Sequence, residues 1–205
     1  LEGKIPQAEI KRLTARYGNQ TAFTVNGMIS DFSKYGDADI NVNITNFRMS
    51  VQDLQDFIRI GEPAFVLGPQ LESLKNIELT LTAKGSLSKF NVVTLVNTSP
   101  GSLSFDGKGN ADSKFESINV NGLLITENLQ IGKIIGEGIG VDGLSLHTFA
   151  EVNIKKNELP KISIDGNVGS VFYKGYPYRD LTVSGVYNGN DNSVGGEVTM
   201  SGRQP

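Results

Sequence analysis

From about Ala22 onward, apolar residues recur at every second position, the period expected of β-strands with one covered and one wet face. Phe23, Val25, Gly27 and Ile29 share a face, as do Ile40, Val42 and Ile44. The same alternation runs through Ile77, Leu79, Leu81, Ala83 and Gly85, through Leu103, Phe105 and Gly107, and through Ile118, Val120, Gly122 and Leu124. Later sets are Leu144, Leu146, Thr148, Ala150, Val152 and Ile154, then Ile162, Ile164, Gly166 and Val168, then Leu181, Val183, Gly185 and Tyr187. Turn-forming clusters at Lys34 to Asp37, Lys155 to Asn157 and Asn188 to Asn192 separate them, so antiparallel meanders are the natural connection.

A glycine follows in phase in several of these runs, at Gly27, Gly85, Gly107, Gly122, Gly166 and Gly185. Glycine inside a strand costs about 0.5 to 1 kcal/mol relative to alanine, so its repeated placement needs a reason. The usual reasons are a bend or bulge in the sheet, or close approach of another body to the backbone. Two readings stay open: curvature points of a closed barrel or sandwich, or curvature of a sheet around a trough that stays open.

Three segments break the alternation with a helical pattern. Residues from about Pro6 to Tyr17 place Ile10, Leu13 and Tyr17 on one side, with Gly18 as a stop. Ser50-Val51-Gln52-Asp53 reads as a capping box, followed by Leu54, Phe57 and Ile58 and ended by Gly61 and Pro63. A third, short piece spans about Leu129 to Ile135 and carries Ile131, Ile134 and Ile135. Short amphipathic helices among many strands plug an open end or cover a sheet edge. The expected organisation is one β-rich segment over 1–205, with a helical lead-in over 1–18, a first strand-rich half over 19–127 and a second over 128–205.

Composition agrees with a thin sheet. The 205 residues are 38% hydrophobic and 8% aromatic, modest for a single thick core. The 24 glycines follow no triplet period, which excludes collagen. The formal charge is -3, and Lys and Arg cluster no further than pairs such as Lys11-Arg12 and Lys155-Lys156, so no phosphate-tracking stripe exists and nucleic acid is excluded as a partner. Cysteine is absent, which fits either a reducing compartment or a bacterial envelope. No apolar run is long enough to span a bilayer, no signal-peptide pattern is present, and the chain opens on Leu1; the expectation is a piece of a longer protein, cut from its targeting segment.

Candidate chemistry is sparse, and no catalytic, cofactor-binding or metal-binding residue is nominated. His147 is the single histidine and falls on the polar face of its strand with Ser145 and Glu151, so zinc sites and histidine-based dyads lack their parts. Gly138-Ile139-Gly140-Val141-Asp142-Gly143 has the letters of a dinucleotide fingerprint, but a strand follows it where a helix is required. Ser86-Leu87-Ser88-Lys89 has the spacing of an acyl-enzyme motif without its helix. Asn188, Asn190 and Asn192 imitate the start of an EF-hand loop, but Ser193 replaces the essential glycine and Thr199 the closing glutamate. The carboxylates Asp31, Asp37, Asp39, Glu116, Asp165 and Asp180 scatter over turns and wet faces and form no acid/base pair.

The succession of segments carries more. The run Phe47-Arg48-Met49-Ser50-Val51-Gln52-Asp53-Leu54-Gln55-Asp56-Phe57-Ile58, a Leu/Pro-containing connector, and Leu79-Thr80-Leu81-Thr82-Ala83-Lys84-Gly85-Ser86-Leu87 resembles the repeating body of TamB-type proteins of Bacteroidetes. So does Leu129-Gln130-Ile131-Gly132-Lys133-Ile134-Ile135-Gly136 leading into a long strand, and so does Gly166-Asn167-Val168 continued by Phe172-Tyr173-Lys174-Gly175-Tyr176-Pro177-Tyr178-Arg179-Asp180-Leu181-Thr182-Val183-Ser184-Gly185. The resemblance, to the translocation and assembly module inner-membrane subunit and its AsmA-like relatives, covers nearly the whole chain from Ala22. It implies an all-β fold with a few short helices: a long curved antiparallel sheet, U-shaped or taco-like, with an apolar inner face. It implies a periplasmic body in a Gram-negative envelope, an inner-membrane anchor helix, and an outer-membrane barrel partner of the TamA/BamA type engaged by parts not in this chain.

Such a sheet offers acyl chains a lipid-like path, with burial of each methylene worth roughly 0.8 kcal/mol. The expected function is non-enzymatic conduction of phospholipid between membranes in support of outer-membrane biogenesis. The expected lining is Phe23, Val25, Ile29, Val42, Leu79, Leu81, Phe105, Val120, Leu124, Leu146, Ile164 and Val183, with the in-phase glycines giving curvature and clearance. The alternatives are a scaffold whose sheet edges template outer-membrane or autotransporter strands, and a carbohydrate-binding or adhesin sandwich built on Tyr173, Tyr176 and Tyr178.

Overall fold

A computed structural model of the chain describes residues 7–18, 20–30, 38–61, 66, 72–86, 88–112, 114, 116–135, 140–191 and 193–200. They form one antiparallel sheet of eleven strands in sequential order, not closed into a barrel. The strands are β1 (Gln7–Tyr17), β2 (Thr21–Ser30), β3 (Asp39–Ser50), β4 (Asn76–Ser86), β5 (Lys89–Thr98) and β6 (Gly101–Ala111), then β7 (Ser117–Leu129), β8 (Val141–Lys155), β9 (Lys161–Tyr173), β10 (Tyr176–Asn188) and β11 (Ser193–Met200). Helices α1 (Val51–Gly61) and α2 (Ile131–Ile135) fill the β3–β4 and β7–β8 connections. Strand direction alternates, so both helices stand on the same long rim of the sheet. β7 pairs with β8 on both sides of 127/128, from Ser117↔Lys155 to Thr126↔Leu146 and again at Leu129↔Leu144 after a register shift, so the two strand-rich halves are one sheet.

The expected helical lead-in is wrong over its described residues. From Gln7 to Tyr17 the chain is the edge strand β1, paired with β2 from Gln7↔Ser30 to Tyr17↔Thr21. The register slips between Ile10 and Leu13. An inserted residue at such a bulge returns the side chains to the same face after three positions instead of two. Ala8 and Ile10 alternate before the slip, and Leu13, Ala15 and Tyr17 after it. That phase jump gives Ile10, Leu13 and Tyr17 the spacing of a helix face.

The second expected helix is present, and its cap works as its residues dictate: the Ser50 hydroxyl accepts a hydrogen bond from the Asp53 amide at 3.0 Å. The Asp53 carboxylate in turn accepts the Thr21 hydroxyl at 2.6 Å, which ties the helix start to β2. Pro63 lies outside the described residues. The third helix is reduced to Ile131–Ile135, Leu129 being the last residue of β7.

One face of the sheet is apolar from edge to edge. Leu13, Val25, Ile44, Leu81, Thr94, Phe105, Leu124, Thr148, Gly166, Val183 and Val198 follow one another in register across it. The opposite face carries polar ladders. Asn43 donates to the Asn26 side chain at 3.1 Å and accepts from Thr82 at 2.9 Å. Asn119 donates to Glu151 and Asn153, both at 2.7 Å.

The sheet bends toward its apolar face. A second register line runs Ile10, Gly27, Val42, Ala83, Val92, Gly107, Gly122, Ala150, Ile164, Gly185, Gly196. A Cβ built on Gly122 would fall 2.4 Å from the Gly107 Cα, and one on Gly196 would fall 2.9 Å from the Gly185 Cα. Opposed Cβ atoms in an ordinary sheet stand about 4.5 to 5.5 Å apart. Backbones so close on the apolar side, at Gly122 and Gly196 and one row away at Gly85 and Gly166, fit a sheet concave on that side, and the glycine- and alanine-rich register line marks the middle of this fold line.

Candidate functional site

The concave face is a trough whose floor is the glycine- and alanine-rich line and whose walls are the larger apolar rows on either side. Toward the helix-bearing rim stand the row containing Val25, Leu81, Phe105, Leu124 and Val183, then Phe23, Phe47, Leu79, Leu103, Leu146 and Leu181. Toward the other rim stand Ile29, Ile40, Phe90, Val120, Val152 and Ile162. With strands about 4.8 Å apart, an eleven-strand sheet makes a trough on the order of 50 Å long.

Every expected lining residue lies on this face: Phe23, Val25, Ile29, Val42, Leu79, Leu81, Phe105, Val120, Leu124, Leu146, Ile164 and Val183. All of them are half-buried, none fully covered and none fully exposed. A second layer packed on the face would have buried most of them. The whole chain exposes 13550 Å², where a compact globular chain of its 22.1 kDa exposes roughly 9,300 Å². Full burial on this face is concentrated on β7 to β10, at Thr126, Thr148, Ala150, Val168 and Leu181.

Of the expected curvature glycines, Gly27, Gly107, Gly122 and Gly185 fall on the fold line itself. Gly85 stands one row toward the far rim, paired with Ile40 and Phe90, and Gly166 one row toward the helices, paired with Thr148 and Val183. At Gly166, with φ of +154°, a Cβ would meet the Thr148 Cα at 2.8 Å. Gly185 is different: the nearest atom to its built Cβ is 3.5 Å away. Gly109 escaped the sequence reading although the Phe90 ring lies directly over it, so that any side chain there would have to displace the ring. The signal was available in the pairing of a glycine with an aromatic residue on the neighbouring strand.

The two rims differ. The helix-bearing rim holds cavities of about 500 Å³ beside Arg16, Arg48 and Glu78 and about 520 Å³ beside the start of α1. Tyr173 and Tyr176 pair at the β9–β10 turn on this rim, with Tyr176 70% exposed and the Lys174 ammonium 5.2 Å from the centre of the Tyr173 ring. Helix α1 leaves Phe57 and Ile60 exposed.

The motifs with a chemical look are turns and strand surface. Ser86 closes the β4–β5 hairpin, its hydroxyl accepting the Lys89 amide at 3.0 Å. Val141 to Gly143 are already strand β8, so no helix follows the glycine-rich stretch; Gly138 and Ile139 lie outside the described residues. Asn188 and Asp191 cap the β10–β11 turn through the amides of Asn190 and Ser193. His147 is exposed on the polar face between Ile125 and Asn167. Glu116 pairs with Lys156 at 3.4 Å, and Asp39, Asp165 and Asp180 are exposed, while Asp31 and Asp37 lie outside the described residues. Among the described residues no three His, Asp or Glu side chains gather as a metal site.

Fold and site together define a single-layer, open antiparallel β-sheet with an apolar concave face. No family model, curated protein or solved structure matches the chain.

Proposed function

We propose that this chain is a non-enzymatic carrier segment of the TamB/AsmA-like kind, conducting phospholipid along its trough in a bacterial periplasm. The observation that supports this reading is an apolar face that runs over all eleven strands and whose larger side chains on β2 to β10 are mostly only half-buried. A soluble protein gains nothing by leaving such a face uncovered, and apolar areas of this extent mark ligand or partner sites.

The energetics suit transport. Half-shielding an acyl chain of about sixteen carbons is worth roughly 6 kcal/mol, so the trough lowers the barrier to crossing water substantially. Full immersion in a bilayer is worth about twice that, so lipid leaves the trough readily at either end. Movement needs no specific residue, only continuity. A barrel of the TamA/BamA type as the outer-membrane partner, and an inner-membrane anchor, belong to this proposal.

The test is mass spectrometry of lipid extracted from the protein purified from its own envelope. Diacyl phospholipid near or above one molecule per chain supports conduction. A lipid-free protein that also fails to take up phospholipid from vesicles sinks it. A second reading rests on the two edges: β1 and β11 each pair on one side only among the described residues, which is what strand-templating requires. Binding of outer-membrane strand peptides by a lipid-free protein would favour it.

A further inference from the structure

Arg16 on β1, Ala22 on β2, Arg48 on β3 and Glu78 on β4 lie in one register line on the polar face, one residue from the trough-face rims of their strands. The small Ala22 side chain leaves the space between the two arginines open. Arg48 is steadied from its far side by Glu78, with Nε 3.3 Å from Oε1, while Arg16 has no ion-pair partner among the described residues. These side chains line the cavity of about 500 Å³ at the helix-bearing rim. Thr21 and Met49, which belong to the trough-face rows, line it too. Directly behind Ala22 and Arg48, on the concave side, the rings of Phe23 and Phe47 stack with centroids 6.4 Å apart.

We infer that this lip cavity is a headgroup site for a phosphate-bearing zwitterionic lipid, a reading that rests on the trough carrying acyl chains. Two guanidinium groups flanking a gap suit a phosphate, because each offers a planar fork of donors to its oxygens. Glu78 supplies a carboxylate for the amine of the same headgroup. The position supports the case: Thr21 and Met49, the last trough-face residues of β2 and β3 at this rim, line the same cavity, so a headgroup held here leaves its acyl chains at the lip from which the trough begins. A neutral diacylglycerol lacks the phosphate that would make charge-assisted bonds to the arginines and enters the trough without this step.

The experiment titrates intact protein with glycerophosphoethanolamine, a headgroup without acyl chains, followed by phosphorus NMR, for the wild type and for Arg16→Gln/Arg48→Gln. Folding of the variant is checked by circular dichroism, and uptake of dioleoylglycerol from vesicles is measured in parallel. Binding that weakens at least roughly tenfold in the double variant, with diacylglycerol uptake unchanged, is the expected result. Equal binding by both proteins, or none by the wild type, overturns the headgroup site. Inorganic phosphate binding as tightly as the headgroup assigns the cavity to free anions and overturns its lipid role. Failure of the trough reading shows separately, as absence of diacylglycerol uptake whatever the headgroup does.

Discussion

Gly122 lies directly against Gly107, with the carbonyl oxygen of Asp106 2.3 Å and the Gly107 Cα 2.4 Å from where a Gly122 Cβ would stand. Both obstructions are backbone, which cannot rotate away. Gly122→Val should therefore destabilise the protein by about 2 to 3 kcal/mol, at the upper end of overpacking costs. Gly185→Ala, on the same line but with 3.5 Å of clearance and an ordinary φ, should be neutral or stabilising by up to about 1 kcal/mol. Urea unfolding of the two variants measures the contrast; equal effects would remove the fold line.

Val120 and Leu181 both face the trough but differ in cover. Leu181 is 5% exposed, so Leu181→Ala should cost about 2 to 5 kcal/mol by leaving a cavity. Val120 is half-buried, and Val120→Glu can turn its carboxylate to water at the open mouth. It should cost under about 2 kcal/mol yet stop lipid transfer between vesicles. Collapse of the fold on that change would mean a dry, closed core, where an unpaired charge is far more costly.

Asp53 connects α1 to the strand ends. Its carboxylate accepts the Thr21 hydroxyl at 2.6 Å, and Thr21 is 5% exposed. Asp53→Ala leaves that hydroxyl buried and unpaired, at an expected cost of about 1 to 3 kcal/mol. Ser50→Ala, which removes only the cap, should cost about 0.5 to 2 kcal/mol. Thermal unfolding followed by circular dichroism checks the order of the two.

Asp112 organises the β6–β7 turn by accepting the amides of Lys114 and Glu116, each at 2.9 Å. The Glu116 amide chiefly holds its carboxyl below the ordinary 3.8, and the hydroxyl and amide of Ser193 do the same for Asp191. A carboxyl lowered by folding contributes stability that is present above its unfolded pKa and lost as pH falls through the folded value. Both turns should thus hold down to about pH 3.8 and loosen only below it. Carbon NMR titration of the two carboxyls would contradict this with midpoints at or above the value for a free peptide.

The alternation made most of the sheet legible, because one face meets apolar neighbours and the other water along nearly every strand. It failed where that physics is blurred. β5 places Val93 and Leu95, 50% and 39% exposed, on the polar face opposite Phe90, Val92 and Val96, so both faces read as apolar and the strand went unnamed. β11 carries Gly195-Gly196 and few large side chains, and also went unnamed. β1 read as a helix because a bulge shifts its phase. The in-phase glycines were visible as individual residues, but their alignment into one line depends on inter-strand register, which turn lengths and bulges decide and local periodicity does not record. The same holds for Arg16, Arg48 and Glu78, which are far apart in the chain and are aligned only by the register of β1 to β4, Arg48 directly opposite Glu78 and Arg16 across Ala22 of β2.

The central claim is that the apolar face is an open path for lipid. Photo-reactive residues placed at Val25, Val120 and Ile164 on the trough face, and at Asn119 and Ser163 on the polar face, test it in cells by mass spectrometry of the adducts. Phospholipid adducts from the first set alone are the expected result. Adducts from neither set, or equally from both, would contradict an open conducting trough.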